Sequence, residues 1–370
     1  MLPTPLPVVA LALLASDTPD DVSSTTTDLD ALRAEVAALT DQIAGPSSLT
    51  FGASSTSIYQ TTDLPTGWKD YGTGSLDITI EAEPWSGALG FLDLEASGGD
   101  GPDADVGTYG GLNGDAGSLQ SADGLDRAHV LEAWISTPVW TDDLFVTFGK
   151  VDLGGYFDPN AVANDETLQF LYGGFVNSLA FEAPDPGPAL VLSWLPAADW
   201  DVNVAVASAD NSGDDLSSET FQVAQLGWYP QFGELPAEAH LSWWSDGSRD
   251  DKSGYGLSFS LECSETWSAF GRVGGQEECA SHLDAVETAW SCGLEWREPI
   301  GSDDTLGLAL GAAEAADPAL DAEEAMELYY RLGLRENLAI SLHVEHVDQP
   351  GGDPGADGVL ALGLRLQADF

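Results

Sequence analysis

The sequence predicts an all-β protein: a transmembrane antiparallel β-barrel of sixteen strands with a short N-terminal helix. Three observations lead to this prediction. Apolar and polar residues alternate with a period of two from residue 49 onward, short and long connections alternate between the strands, and aromatic residues gather at the strand ends beside the short connections. A soluble β-sandwich shows the first feature as well, so the other two decide between the two classes.

The last predicted strand shows the alternation clearly. One of its faces carries four leucines, whereas the other carries small and polar residues that include Arg365 and Gln367. Successive side chains of a strand point to opposite faces, so one face is predicted to meet lipid and the other a lumen. The sixteen predicted strands are residues 49–59, 74–83, 88–97, 126–137, 144–151, 189–195, 200–208, 219–228, 236–244, 254–263, 266–274, 287–297, 305–313, 324–334, 338–346 and 358–370.

The connections and the aromatic residues mark the two rims. Short turns on one rim and long loops on the other are typical of outer-membrane barrels. The short turns are 84–87, 138–143, 196–199, 264–265 and 336–337, and the long loops are 98–125, 152–188, 276–286 and 348–357. An interfacial girdle is predicted on the short-turn rim from Trp85, Trp140, Trp200, Trp228, Tyr229, Trp267, Trp296 and Phe370.

The charge balance is strongly acidic. The 370 residues include 62 Asp and Glu against 11 Lys and Arg, for a formal net charge of −51. So few cations build no basic face for nucleic acid or anionic lipid, and a hydrophobic share of 43% is too high for a disordered acidic chain. The balance predicts a negative lumen that prefers cations, and it suggests a habitat of concentrated salt.

The N-terminal 46 residues are predicted to lie outside the barrel. The apolar run 6–15 is too short for a spanning helix but suits a signal peptide over residues 1–16, although no Lys or Arg precedes Arg33. Residues 17–46 are predicted as a linker and a short coiled-coil-like helix, and residues 47–370 as the barrel. The heptad seam of that helix is Leu29, Leu32, Val36, Leu39 and Ile43. It fits either an oligomerisation helix or a plug, so monomer and homotrimer both stay open.

Several motifs resemble the carbohydrate-selective OprB porin family. They follow the family's order from about residue 49 to the last residue. The most specific motif is Phe148-Gly149-Lys150-Val151-Asp152, then Tyr156-Phe157-Asp158-Pro159-Asn160, Ala163-Asn164-Asp165-Glu166 and Gln169-Phe170-Leu171. The others are Leu131-Glu132-Ala133-Trp134, Phe270-Gly271-Arg272, Glu327-Leu328-Tyr329-Tyr330-Arg331, Gln349-Pro350-Gly351-Gly352, Gly363-Leu364-Arg365-Leu366-Gln367 and Phe370.

The resemblance implies a sixteen-stranded channel in the outer membrane of a Gram-negative-type bacterium. Such a channel passes monosaccharides and other small polar solutes by passive diffusion. The resemblance also implies a loop folded into the lumen and recognition of Phe370 by the barrel-assembly machinery. The small number of arginines departs from the family and leaves sugar selectivity open. The alternatives are a general or cation-preferring porin, or an exported soluble acidic β-protein that binds glycans.

The long connection 152–188 is the predicted constriction, because it carries too many aromatic residues for a loop in water. Its polar members are expected to line the eyelet: Asp158, Asn160, Asn164, Asp165, Glu166 and Gln169. The alternative is that Asp158, Asn160 and Asp165 only cap turns within the loop.

Inward-facing charged residues are predicted to line the pore. These residues are Glu132, Lys150, Arg272, Arg297, Glu327, Arg331 and Arg365. Opposed arginines and carboxylates would orient polar solutes in a transverse field. The alternative is that such pairs only neutralise each other in the wall.

Other kinds of site find little support. The chain has no G-x-S-x-G motif, and its three cysteines predict neither a disulfide nor structural zinc. His343 and His346 fall on opposite faces of a strand, and the acidic stretch 98–105 is predicted to be a flexible external loop rather than a calcium site. We therefore expect no catalytic residue, metal or cofactor.

Overall fold

The computed structural model describes residues 49–115, 127–210, 219–249, 252–277 and 286–370. The predicted signal peptide, linker and N-terminal helix lie outside these residues. The first strands are β1 (Leu49–Leu64), β2 (Gly67–Ala82), β3 (Leu89–Asp100), β4 (Arg127–Val139), β5 (Thr141–Val151), β6 (Gly187–Ala197), β7 (Trp200–Ser208) and β8 (Thr220–Trp228). They are followed by β9 (Gln231–Phe232), β10 (Leu235–Asp246), β11 (Lys252–Glu262), β12 (Trp267–Gln276), β13 (Val286–Arg297), β14 (Asp304–Ala315), β15 (Glu323–Arg335), β16 (Leu338–Asp348) and β17 (Val359–Asp369).

The strands form one closed antiparallel sheet. Each long strand pairs with the next long strand along the chain, and β1 pairs with β17 to close the barrel. The two-residue β9 only extends the turn before β10, because β10 also pairs directly with β8. The wall therefore has sixteen strands, and the predicted antiparallel β-barrel is confirmed.

Helical structure within the described residues is minor. It comprises α1 (Gly173–Val176) and the 3-10 turns Pro102–Ala104 and Pro350–Gly352. No helix in this part of the chain is long and apolar enough to cross a bilayer. Cys263 and Cys292 are free thiols, whereas Cys279 lies outside the described residues.

The first hairpin differs from the prediction. Residues 60–73 were expected to connect two strands, but β1 and β2 continue through them and meet at a two-residue turn, 65–66. Most side chains of this stretch are polar, so apolar and polar residues do not alternate along it and the strands are not recognised from the sequence. Thr62 and Tyr71 are nonetheless buried on the inward face, at 0% and 4% exposure.

The outward face is apolar and the inward face is polar, the reverse of a soluble protein. On β17, Leu362, Leu364 and Leu366 are about two-fifths exposed, whereas Arg365 between them is fully buried inside. This arrangement suits a wall between lipid and an internal polar space. An exported soluble β-protein does not fit a closed barrel with this outer face.

Aromatic side chains lie near both rims of the outer face. On the short-turn rim, Trp200 stacks on Trp228 with ring centroids 5.8 Å apart, and Trp267 stacks on Trp296 at 5.0 Å. Trp140 and Phe370 lie at the same rim and are 95% and 50% exposed. A set that the sequence pattern missed lies toward the long-loop rim: Tyr59, Trp68, Trp243, Tyr255 and Trp290. Their role at a membrane interface stays a prediction.

The outward face yields a test of the lipid boundary. An arginine in place of Leu364, at mid-height of β17, should destabilise the barrel by about 2–4 kcal/mol, whereas one in place of Leu334, near the short-turn rim, should cost about 0–1 kcal/mol. The free energy of unfolding is measured by urea titration in lipid vesicles, with tryptophan fluorescence as the signal. Equal costs for Leu364→Arg and Leu334→Arg would contradict a lipid-facing wall.

Candidate functional site: the constricted lumen

The connection between β5 and β6, residues 152–186, enters the barrel and is called the inner loop below. Its aromatic residues are buried: Phe157, Phe170, Tyr172 and Phe175 are at most 3% exposed. The ring of Phe170 lies 5.0 Å from Tyr329 of β15. The loop therefore narrows the lumen, as its apolar composition predicts.

Three hydrophobic clusters fix the inner loop to the wall, and two of them are large. The first contains Phe170, Tyr172 and Phe175 of the loop together with buried side chains of β12, β14, β15, β16 and β17. The second joins Leu153 and Phe157 to inward residues of β6, β7, β8 and β10. Burial of a large apolar side chain contributes about 1.5–3 kcal/mol, so these contacts hold the loop inside.

Arg272 of β12 anchors the inner loop to the wall. Its Nη1 donates to the carbonyl of Phe175 at 2.8 Å, and its Nη2 donates to the carbonyl of Asp158 and to Oδ1 of Asn164. The Asp158 carboxylate lies 3.0 Å from Nε and also accepts the N–H of Ser178 at 2.8 Å. Arg272 is 3% exposed, so its guanidinium serves the loop rather than a solute.

The polar residues of the inner loop divide into two groups. Asn160 and Asp165 accept backbone N–H groups two residues further along, and Gln169 accepts those of Asn164 and Asp165. These contacts match the turn-capping alternative for Asn160 and Asp165. Asp158 instead pairs with Arg272. Its φ of 63° is left-handed, a conformation that aspartate tolerates better than most residues.

Glu327 of β15 and Arg365 of β17 anchor the loop at a second part of the wall. The Glu327 carboxylate accepts the N–H groups of Leu171 and Tyr172, each with a shortest distance of 2.9 Å, and lies 2.8 Å from Nδ1 of His343. Arg365 donates through Nη1 to the carbonyl of Glu166 at 2.6 Å. Both anchors are 0% exposed. The expectation that Arg272, Glu327 and Arg365 line open water is wrong, because buried loop backbone takes up their hydrogen-bonding groups.

A second stretch, residues 101–115 after β3, also lies inside the barrel and is called the bracing segment. Leu112 is fully buried, and its carbonyl accepts Nε2 of Gln60 at 2.7 Å. Gly114 donates to the carbonyl of Leu171, so the two inward segments bond to each other. Sequence reasoning missed this segment, although the apolar residues Val106 and Leu112 in a Gly- and Asp-rich stretch were an available signal.

The acidic stretch 98–105 is therefore not a flexible external loop. Gly98 and Asp100 belong to β3, and Pro102 is buried. Asp105 accepts Lys69 at 2.5 Å and the hydroxyl of Tyr71 at 2.9 Å. The carboxylates of this stretch therefore belong to the folded barrel at its long-loop rim.

Acidic residues dominate the part of the wall that the hydrophobic clusters leave uncovered. Within the described residues, no side chain of β2 or β3 belongs to those clusters. Asp77 faces Glu95 directly across strands β2 and β3, and Asp93 faces Glu132 across β3 and β4. All four are partly exposed and close enough to repel one another. We call these four residues the acidic wall.

An aromatic pair lies beside the acidic wall. Phe91 and Trp134 stack with centroids 5.0 Å apart, and Nε1 of Trp134 donates to Glu132 at 2.9 Å. Both rings are partly exposed on the inward face. Apolar ring faces beside carboxylate acceptors are suited to the ring and hydroxyl groups of a sugar.

The remaining predicted pore-lining residues lie elsewhere. Lys150 shares the outward face of β5 with Phe148, which is 45% exposed, and its Nζ donates to the carbonyl of Val130. The expectation that Lys150 lines the pore is therefore wrong. Arg297 lies at the short-turn rim, where it contacts Glu262 at 3.4 Å. Arg331 faces inward on β15 and is partly exposed.

Two loop carboxyl groups inside the barrel titrate near neutral pH. Burial raises the pKa of Glu166 to about 7, and the nearby carboxylates of Asp165 and Asp115 add to this effect. Burial raises the pKa of Asp115 to about 6, although Ser75 donates a hydrogen bond to it at 3.0 Å. The lumen therefore gains negative charge as the pH rises from 5 to 8.

Comparison with solved structures places the architecture. OprB from Pseudomonas putida at high pH superposes with a TM-score of 0.74 and 14% identity over 87% of this chain and 94% of that chain. The fold is that of a porin. The low-pH OprB structure gives 0.58 and 13% identity over 95% and 98% of the two chains. An anion-selective porin from Comamonas acidovorans gives 0.57 and 12% identity over 88% and 100%. No family model and no curated protein matches the sequence.

The anchor at Arg272 yields a test of how this porin fold holds its inner loop. Asp158→Asn leaves a buried guanidinium without its charged partner, which costs about 3–5 kcal/mol in comparable sites. We expect the loop to detach and chymotrypsin to cleave at Phe157, Phe170 or Phe175, which are protected in the native protein. Mass spectrometry of the fragments identifies the cleavage sites.

The control for this test is Asp185→Asn, which removes an exposed carboxylate of the same loop. This variant should resist chymotrypsin like the native protein. Far-UV circular dichroism should show an intact barrel in both variants, because Asp158 takes no part in strand pairing. Equal protease resistance of the two variants would contradict the anchoring role.

Proposed function

We propose that this protein is an outer-membrane porin through which monosaccharides and other small polar solutes diffuse passively. The observation that carries the proposal is a closed barrel, apolar outside, whose lumen is narrowed by two inward segments but keeps one polar wall uncovered. Passive passage needs contacts that a solute enters and leaves with similar ease. Partly exposed carboxylates beside a stacked aromatic pair provide such contacts.

Cation preference is the second part of the proposal. The acidic wall carries no arginine partner in the described cross-strand pairs, whereas Arg272 and Arg365 are buried against the inner loop. A solute beside the acidic wall therefore experiences a field that is mainly negative. A negative field raises the local concentration of cations and repels anions.

The surroundings of the barrel follow from its outer face. The apolar wall and the aromatic rims suit a lipid bilayer, and the exposed Phe370 is suited to recognition by the barrel-assembly machinery. The predicted helix before the barrel is suited to homotrimer formation, although a monomer fits the barrel equally well.

Conductance in a planar bilayer tests the channel. Detergent-purified protein should give discrete current steps, glucose should partly block them, and a salt gradient should give a reversal potential that reports cation preference. Asp93→Asn should lower that preference, because it removes a charge from the acidic wall. Glu324→Gln, which alters an outward carboxylate, should leave it unchanged.

The outcomes separate the proposals. Steps without glucose block would reject sugar passage and leave a general porin. A reversal potential that favours anions would reject the role of the acidic wall. Folded protein that never conducts would reject the channel itself.

The pH dependence of selectivity provides a separate test. Because Glu166 and Asp115 have pKa values of about 7 and about 6, both become neutral as the pH falls from 8 to 5. The ratio of cation to anion permeability should therefore fall over this range. In Glu166→Gln the fall near pH 7 should disappear while the fall near pH 6 remains. An unchanged reversal potential from pH 8 to pH 5 would contradict this expectation.

A further inference from the structure

Glu323, the first residue of β15, lies where three segments meet. Its carboxylate accepts the N–H of Tyr109 in the bracing segment at 3.0 and 3.1 Å. It also accepts the hydroxyl of Tyr172 in the inner loop at 2.5 Å and the N–H of Gly351 at 2.6 Å. Glu323 is 1% exposed, so these three donors replace water around the carboxylate.

The third segment is residues 349–358 between β16 and β17, called the outer loop. Its 3-10 turn Pro350–Gly352 lies against the bracing segment so closely that a Cβ on Gly351 would come within 2.7 Å of the carbonyl of Gly107. Gly351 and Gly352 have φ values of 64° and 74°, which glycine adopts without strain. The carbonyl of Gly352 also accepts the N–H of Asp321 at 2.8 Å.

A carboxylate satisfies all three donors at once. Oε1 accepts the Tyr172 hydroxyl and the Tyr109 N–H, whereas Oε2 accepts the Tyr109 and Gly351 N–H groups. Both oxygens must act as acceptors. An amide in the same place would keep one acceptor oxygen and lose the charge, so its N–H₂ group would bond only if the Tyr172 hydroxyl turned to accept it.

We propose that Glu323 is a positioning residue that couples the outer loop to both inward segments and thereby sets the width of the channel. The two large hydrophobic clusters hold the inner loop against the wall, but the bracing segment contributes only a few apolar side chains to them. Its position in the lumen depends on polar contacts as well as on Val106 and Leu112, and the contact with Glu323 is shared with both other segments. This inference rests on the proposed channel function.

The test is single-channel recording of Glu323→Gln in a planar bilayer. Loss of charge-assisted hydrogen bonds should raise the population of a wider state by about 10- to 100-fold. The expected signature is a second, larger conductance level and entry of larger neutral polyethylene glycols. A purely structural role would lower the yield of folded protein and leave the conductance of the folded channels unchanged.

Two further variants keep the test decisive. Glu324→Gln, the next residue on the same strand and outward-facing, should behave like the native protein. Tyr172→Phe removes only the hydroxyl donor and should give the larger level less often than Glu323→Gln. It also tests the proposal if Glu323→Gln fails to fold. The double variant should equal Glu323→Gln, because both changes break one junction.

The outcomes distinguish this inference from the proposed function. Native protein that conducts, together with Glu323→Gln and Tyr172→Phe channels of native conductance and size limit, would overturn the role of Glu323 alone. Native protein that never conducts would overturn the channel and the inference with it.

Discussion

A loop that enters a barrel must find hydrogen-bond partners for its own backbone, and this requirement shapes the lumen. Inside the wall, the N–H groups of Leu171 and Tyr172 find the carboxylate of Glu327, and the carbonyl of Phe175 finds Arg272. An unpaired buried backbone group costs about as much as a lost hydrogen bond, so such partners are needed wherever the loop touches the wall. Charged wall residues therefore act first as anchors.

This use of charge separates the lumen into two parts. Beneath the inward segments, Arg272 pairs with Asp158 at a distance of 3.0 Å, whereas the buried Glu327 and Glu345 face each other across β15 and β16. Along the uncovered wall the exposed charges are carboxylates that face each other. Opposed carboxylates therefore occur in both parts of the lumen, and those on β2, β3 and β4 are the ones that stay partly exposed.

The sequence was sufficient for the barrel and for the face on which most lumen residues lie, because a period of two assigns each side chain to a side. The same rule places Lys150 with Phe148 on the outer face, so the alternation and the expected pore-lining role of Lys150 disagree. The partners of Arg272 and Arg365 were beyond prediction, because they are backbone carbonyls of a loop whose path depends on tertiary packing. The bracing segment was missed because glycine and aspartate dominate it and its few apolar residues have no period.

The acidic wall is a feature that folding alone does not favour. Like charges directly opposite each other in a sheet are destabilising, by roughly 0.2–1 kcal/mol for each pair. The wall contains two such pairs, Asp77 with Glu95 and Asp93 with Glu132, and each lowers the stability of the fold. The high dielectric constant of water in the open lumen keeps this cost small. The same water carries mobile ions that screen these charges over about 3 Å at 1 M salt but about 10 Å at 0.1 M. The salt concentration therefore determines how far the field of the wall reaches into the lumen.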